Sequence, residues 1–418
     1  VTPAANPARR TAAMPFIMIV VLIDMLSIGI IVPVLPALVG QFTTDPAEQT
    51  YWYGVVTFSF ALAAFFGAPL LGALSDRFGR RKVLLIGFCG LALNFFATAM
   101  ATALWMLIAA RIVGGFTQAN AAVANAYVAD ITAPAERARR FGLLGAMFGI
   151  GFVLGPVLGG LLGGIDLRLP FFVAGGLALL NLSYGVFVLP ESLPPEKRRA
   201  ITWRAANPLL SLKALTQLQG IGPLVLVLAL SGLAQYMLYT TWVLHNSFKF
   251  GWGPVENGWS LFVVGVVAAV VQGGLMGRLL KVWPPWQLAL MGMASSTLAF
   301  IGWGAATAGW VVYVVIVANV LGNTVVASMN SIVSSAADAS EQGGTMGALS
   351  ALNSAMAVIA PMIAAPLLGL VAHHAQGDWQ LGLPMFASAT LQGLALVLAA
   401  LHFRRSGIAR QPHPSTAA

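Results

Sequence analysis

The chain has 418 residues, of which 58% are hydrophobic and only 8% charged, with a mean hydropathy of +0.84. Soluble domains carry roughly a quarter charged residues, so this composition excludes a soluble protein and specifies a membrane-embedded one. The net charge of +9 does not point to nucleic acid, because the cations sit in short segments between apolar runs, where they set orientation.

A membrane span needs about 20 largely apolar residues, and twelve such windows fill most of the chain. The expected fold is therefore an all-α membrane protein with twelve transmembrane helices in two six-helix bundles. Its domains are expected to be a cytoplasmic tail (1–14), a first bundle (15–190), a cytoplasmic linker (191–216), a second bundle (217–403) and a tail (404–418). Span 1, about 15–40, is too long and continuous for a cleaved signal peptide; it carries Asp24, and Pro33 to Pro36 should bend or end it. Spans 2 and 3, about 51–73 and 82–103, flank GALSDRFGRRKVLL, the densest charge cluster in the chain. Its residues Asp76, Arg77, Arg80, Arg81 and Lys82 predict a tight connection at one membrane face, with Gly72 and Gly79 permitting a sharp turn.

Span 4, about 104–130, holds Arg111, then the polar run TQANAAVANAY, and closes at Asp130. Span 5, about 141–164, is rich in glycine, and span 6 ends at Pro190 and Glu191. Spans 7 to 12 fall at about 220–245, 256–279, 285–307, 309–333, 345–373 and 380–402. Of the 22 Lys and Arg residues, nineteen lie in the tails and even-numbered connections, while the odd-numbered ones hold only Arg168 and Lys249. That bias predicts both termini in the cytoplasm. Gly72 and Gly277, and likewise Pro156 and Pro361, are 205 positions apart, which indicates a parallel repeat of the kind that encloses a midplane site.

An ionisable residue inside a membrane is costly and marks a pathway or a partner. Asp24 lies deep enough in span 1 to bind and release a proton as access alternates, and a structural, hydrogen-bonded carboxylate is the other reading. Arg111 keeps its charge and needs acceptors for five donors, unless it snorkels to an interface. Gly151, Gly155 and Gly159 recur every four residues and give span 5 a smooth packing face, while Pro156 and Gly160 complete the pattern G-x-x-x-G-P-x-x-G-G. Candidate cavity residues are Gln118, Asn120, Asn125 and Tyr127 on span 4, Gln235, Tyr236, Tyr239 and Trp242 on span 7, and Asn323, Asn330 and Asn353 on spans 10 and 11. Interhelical hydrogen bonding accounts equally well for any one of them. His373 and His374 have no carboxylate or cysteine nearby in the sequence, so no metal site is expected, and no cofactor is called for. The single Cys89 excludes an internal disulfide. No nucleophile, base and oxyanion set and no nucleotide motif marks an enzyme.

These stretches resemble the tetracycline/proton antiporter branch of the drug-exporting major facilitators along nearly the whole chain. The resemblance is carried by DMLSIGIIVPVLP from Asp24, GALSDRFGRRKVLL, RIVGG from Arg111, AYVADITAPAERARRFG from Ala126, GFVLGPVLGG from Gly151, and LPES from Leu189. It implies a gate at Gly72, Asp76, Arg77, Gly79, Arg80, Arg81 and Asp130, with Asp76 also facing the start of span 11. The span 4 pattern Leu107, Arg111, Gly115 and Ala119 is similar to the family's proton-coupling motif. The glycine-proline run of span 5 is similar to its antiporter motif, which importers generally lack. The implied function is proton-coupled export of a small amphipathic drug or metabolite across a bacterial-type inner membrane, by a monomer whose partners are substrate, protons and lipid. Asp24 would be the proton site and Arg111 its modulator. A metabolite transporter of the same fold, or a non-transporting receptor, is the alternative. Where the tetracycline pumps carry an Asp in helix 3, a His in helix 8 and an Asp in helix 9, this chain has Asn94, Ala268 and Ser296, and Ser27 replaces a Gly after Asp24. These departures put tetracycline itself in doubt.

Overall fold

The structure, a computed structural model, describes residues 7–118, 120–198, 207–210, 222–336 and 342–406. The tail and linker cations Arg199, Arg204, Lys213 and Arg410 lie outside the described residues. In lipid the backbone has no partner but itself, so a spanning segment must close its own hydrogen bonds, and every regular element described here is helical. Among the described residues, eleven helices are long and apolar enough to cross a membrane, and a bent pair taken as one span makes a twelfth.

The first half contains α1 (Pro7–Ile31), the short α2 (Leu35–Gly40), α3 (Pro46–Phe78), α4 (Arg80–Ala99), α5 (Leu104–Thr117), α6 (Asn120–Ile131), α7 (Arg137–Ile165) and α8 (Leu169–Phe187). The second contains α9 (Gly222–Phe250), α10 (Pro254–Val270), α11 (Met276–Val282), α12 (Pro285–Ala305), α13 (Gly309–Ala318), α14 (Val325–Ala336), α15 (Gln342–Val371) and α16 (Leu383–Arg405). The helix starts of α4, α5, α6 and α7 precede those of α12, α13, α14 and α15 by the same 205 positions that separate Pro156 from Pro361. The repeat is thus written into the element boundaries.

Several expectations are corrected. Helix α1 begins at Pro7, so Arg9 and Arg10 belong to it rather than to a tail; proline is tolerated in a first turn, and Ala12, Ala13 and Met14 favour helix. The charged connection is shorter than expected. Helix α3 runs on to Phe78, the break is Gly79 alone at φ +105°, and Gly72 is an ordinary helical residue with open space around it. Helix α9 continues past residue 245 to Phe250, which places Lys249 inside it and buries it to 1%. The Lys249 ammonium donates to the Gly304 carbonyl in the last turn of α12, one of the carbonyls a helix end leaves unsatisfied.

Three spans that looked continuous are interrupted. Span 4 breaks between α5 and α6 at Gln118, whose φ of −85° and ψ of 73° are not helical. Span 8 carries a π-helical turn, Val271–Leu275, between α10 and α11. Span 10 bends by 47° through the 3₁₀ turn Leu321–Thr324 between α13 and α14.

Contacts divide the chain into two compact units, the first being Val1–Phe42, Ser59–Pro208 and Gly253–Phe262, and the second Thr43–Phe58, Leu209–Trp252 and Val263–Ala418. In the first, α1 packs along α7 and α8, and α4 along α8 and α5, around Ile17, Val21, Phe88, Val123 and Val128. In the second, α9 packs on α15 and α16, and α12 on α16, around Val227, Met293, Met329, Ala395 and Phe403.

Candidate functional site

Asp24 stands on α1 at 4% exposure, and Asn120 Nδ2 donates to its Oδ1 at 2.9 Å. Asn120 is the first residue of α6, set where the chain restarts after the break at Gln118. The amide fits because α4 carries Gly87 opposite; a Cβ there would overlap the Asn120 side-chain oxygen. One turn earlier on α1, Asn181 of α8 donates to the Val20 carbonyl at 2.8 Å and ties α1 to α8. The side-chain partner of Asp24 is thus the amide of Asn120. Arg111 is itself buried to 3% on α5, with its guanidinium carbon 5.9 Å from the Phe60 ring centre. Between α4 and α5, the Asn94 side chain is buried against Gly114, and neither of its amide atoms finds a hydrogen-bond partner among the described residues.

The charged cluster closes around Arg80, the first residue of α4. Its Nη2 meets Asp76 Oδ1 at 2.6 Å, its Nε meets Asp130 Oδ2 at 3.2 Å, and its Nη1 donates to Ser75 Oγ at 2.6 Å. Its backbone N–H donates to Glu191 Oε1 at 2.8 Å. The same carboxylate accepts from the Ser192 and Leu193 N–H groups at 3.1 Å each, and Ser192 Oγ donates to Asp130 at 3.2 Å. The Glu191 carboxylate thus does for α4 what an N-cap side chain does, at the positive end of the helix dipole. A Cβ on Gly79 would overlap it. Arg81 donates to the Gly185 and Val186 carbonyls at the end of α8, and Arg77 lies over the Phe78 ring at 5.2 Å. Of the gate residues, then, Asp76, Arg80 and Asp130 come together, while Gly72, Arg77 and Arg81 stand outside their ion-paired core. Ser75, Glu191 and Ser192 are members that charge spacing did not single out; Ser75 lies within GALSDRFGRRKVLL, and the LPES step was the only signal for Glu191 and Ser192.

On α7 the glycine run lies directly against α1. A Cβ on Gly151 would meet Met25, one on Gly155 would meet Gly29 Cα at 2.6 Å, and one on Gly159 would overlap the Ile30 carbonyl. A Cβ on Gly160 would lie 2.6 Å from the Pro254 carbonyl oxygen, and Pro156 Cδ lies 3.1 Å from the place a Gly29 Cβ would take. The backbone of the helix that carries Asp24 is therefore seated on α7 along two turns.

The cavity candidates separate. Asn125, Tyr239 and Asn353 are exposed, Gln118, Gln235, Tyr236, Asn323 and Asn330 are half-buried, and Tyr236 and Tyr239 meet edge to face at 5.9 Å. Trp242 is interior packing rather than a cavity wall, at 4% exposure with its ring edge-on to Trp303. Asn120 belongs with Asp24. Tyr127 is fully buried and its hydroxyl donates to the Pro190 carbonyl at 2.8 Å. His373, expected to lack an acidic neighbour, has one from a distant part of the sequence: its Nε2 is 3.4 Å from Asp45 Oδ1. Asp45 also caps α3 by accepting from the Ala47 and Glu48 N–H groups.

Comparison with known proteins agrees with this architecture. The model of the Major Facilitator Superfamily matches residues 17–361. The class C tetracycline resistance protein of Escherichia coli is 36% identical over 88% of this chain and 92% of its own length. The class D protein of Salmonella ordonez is 32% identical over 88% and 93%. Among solved structures, the human organic anion transporter MFSD10 superposes with a TM-score of 0.69 at 23% identity, covering 93% of this chain and 99% of that one. With a family model spanning most of its helices and relatives aligned along nearly their whole length, the chain belongs to the Major Facilitator Superfamily.

Proposed function

We propose that the chain is a proton-coupled antiporter that exports a small amphipathic drug or metabolite by alternating access. The observation that carries this reading is Asp24, a buried carboxylate whose side-chain partner is the neutral amide of Asn120. Burying a charge without a counter-ion is costly, so the site is satisfied in turn by a proton or by a cationic group of the substrate. Competition between the two is what couples export to proton entry. Arg111, one helix away on α5, modulates that exchange. The clasp of Asp76, Arg80 and Asp130 acts as a cytoplasmic latch, and the α1–α7 glycine seat carries Asp24 as a rigid unit between states. The similarity to tetracycline resistance proteins supports export rather than uptake.

In this reading the chain is a monomer of two six-helix bundles joined by the 191–216 linker, in an inner membrane, with both termini cytoplasmic. Gln118, Asn125, Gln235, Tyr236, Tyr239, Asn323, Asn330 and Asn353 supply the polar part of the substrate path. Asn94, Ala268 and Ser296 replace ionisable groups that a magnesium-chelated tetracycline would need, so the preferred substrates are more hydrophobic than tetracycline. The test is reconstitution into liposomes with an imposed pH gradient. Wild type should export, and Asp24→Asn should fold yet lose gradient-driven export. An Asp24→Asn variant that exports like wild type would remove Asp24 from the mechanism.

A further inference from the structure

Helix breaks inside a membrane keep their backbone groups satisfied through local 3₁₀ and π turns. Two such breaks meet in the second unit, where the π-helical turn Val271–Leu275 packs on the 3₁₀ turn Leu321–Thr324. Single π turns recur at functional sites. This one presents Gln272, Gly273 and Gly274 as three consecutive exposed residues. The span runs from Pro254 to Val282, which puts Gln272 roughly 6 Å from its midpoint at 1.5 Å per residue, well inside the hydrocarbon thickness. The Gln272 side chain makes no hydrogen bond among the described residues. An amide moved from water to hydrocarbon without a partner costs about 4–8 kcal/mol, more than any local packing at an exposed position returns. Its surroundings must therefore be polar. The adjacent glycines point the same way, since a Cβ on Gly273 or Gly274 would meet nothing within 4 Å, so no neighbour demands their small size. The nearest charged side chain along the helix, Arg278, donates to the Gly274 carbonyl at 3.1 Å, so the side-chain group that the turn itself presents is the Gln272 amide.

We propose that Gln272, presented by this π-helical turn, is a recognition position for an uncharged hydrogen-bonding group of the exported compound: an amide, a carbonyl or a hydroxyl. The assignment rests on the transport reading above and names the chemical group that the second unit reads. Two probes separate the chemistry. Chloramphenicol carries an amide and two hydroxyls, and tetraphenylphosphonium carries no hydrogen-bonding group.

The test begins with Gln272→Cys in a Cys89→Ser chain, which then has one thiol. In membrane vesicles a membrane-impermeant, positively charged methanethiosulfonate should label it, and saturating chloramphenicol should slow labelling severalfold while tetraphenylphosphonium does not. Labelling by lipid-soluble maleimide alone would place the residue against lipid and overturn the proposal. So would labelling that chloramphenicol leaves unchanged, or that both probes slow equally. In transport, Gln272→Ala should raise KM for chloramphenicol about tenfold, the scale of one hydrogen bond, leave tetraphenylphosphonium unchanged, and be partly rescued by Gln272→Asn. Equal loss for both compounds would mark a structural hinge instead. Labelling is read without a proton gradient, so failure of gradient-driven export in wild type would strike the antiport reading and leave the labelling result intact.

Discussion

At the scale of single residues, Asp24 depends on a neighbour 96 positions away in the chain. Asn120→Ala should therefore resemble a mild form of Asp24→Asn. A hydrogen bond to a charged group is worth about 1.5–3 kcal/mol, so the gradient-driven export rate should fall at least tenfold while the protein remains folded and inserted. Asn120→Asp would place two carboxyl groups at hydrogen-bonding distance and should alter the pH dependence of export; a profile identical to wild type would show that Asn120 is only a packing residue. The sequence made Asp24 conspicuous, because an acidic residue amid apolar ones needs no partner to be noticed. Its partner was less legible. Asn120 was one of several amides in a polar run, and only the break at Gln118 selects it, a backbone event with no glycine or proline to announce it.

At the scale of elements, two glycines that looked alike in the sequence have different duties. Gly79→Ala combines a left-handed backbone, which costs an L-residue about 1–2 kcal/mol, with overlap on the Glu191 carboxylate, and should lower thermal stability measurably in detergent. Gly72→Ala sits in open helix and should be neutral or stabilising by up to about 1 kcal/mol. If the two variants melt together, the single-residue break between α3 and α4 is not as described. On α7, Gly159→Ala should destabilise by about 1–3 kcal/mol through overpacking against α1, whereas Gly145→Ala, with nothing within 4 Å, should not. The four-residue spacing of the glycines announced a packing face, but which helix sat on it was not in the spacing. The interrupted spans were illegible for a related reason. Hydropathy counts apolar residues over a window and does not register one non-helical ψ or one extra residue in a turn, so spans 4, 8 and 10 read as continuous.

At the scale of the whole molecule, Arg80 gathers α3, α4, α6 and the segment after α8 through Asp76, Ser75, Asp130 and Glu191. An exposed ion pair alone is worth about 0–1 kcal/mol, and the Asp76 side chain is 44% exposed, so Asp76→Asn should shift the balance of access between the two membrane faces only modestly. Arg80→Ala removes every side-chain link at once and should shift it further. Cysteine accessibility measured from both faces would show this, and equal profiles for the two variants would refute a latch centred on Arg80. The fold class, the number of spans and the charged cluster were legible because lipid imposes length and hydropathy on every span and confines charge to its ends. Lys249 was misplaced by the same logic, since a cation at the edge of an apolar run reads as a loop residue, whereas here it closes the end of a neighbouring helix.

The 205-residue register also bears on how such a chain can evolve. At that offset Arg111 corresponds to Ile316, Asn120 to Val325 and Asp76 to Lys281. The second half has apolar residues opposite Arg111 and Asn120, and a charge of opposite sign opposite Asp76. Changes in the second half at these positions leave Asp24, Arg111 and the Arg80 clasp untouched, so on the proposed reading selection for a new compound can sample it without disabling proton coupling. Variants recovered under pressure from unfamiliar drugs should accumulate in α10 to α15 rather than in α1, α5 and α6.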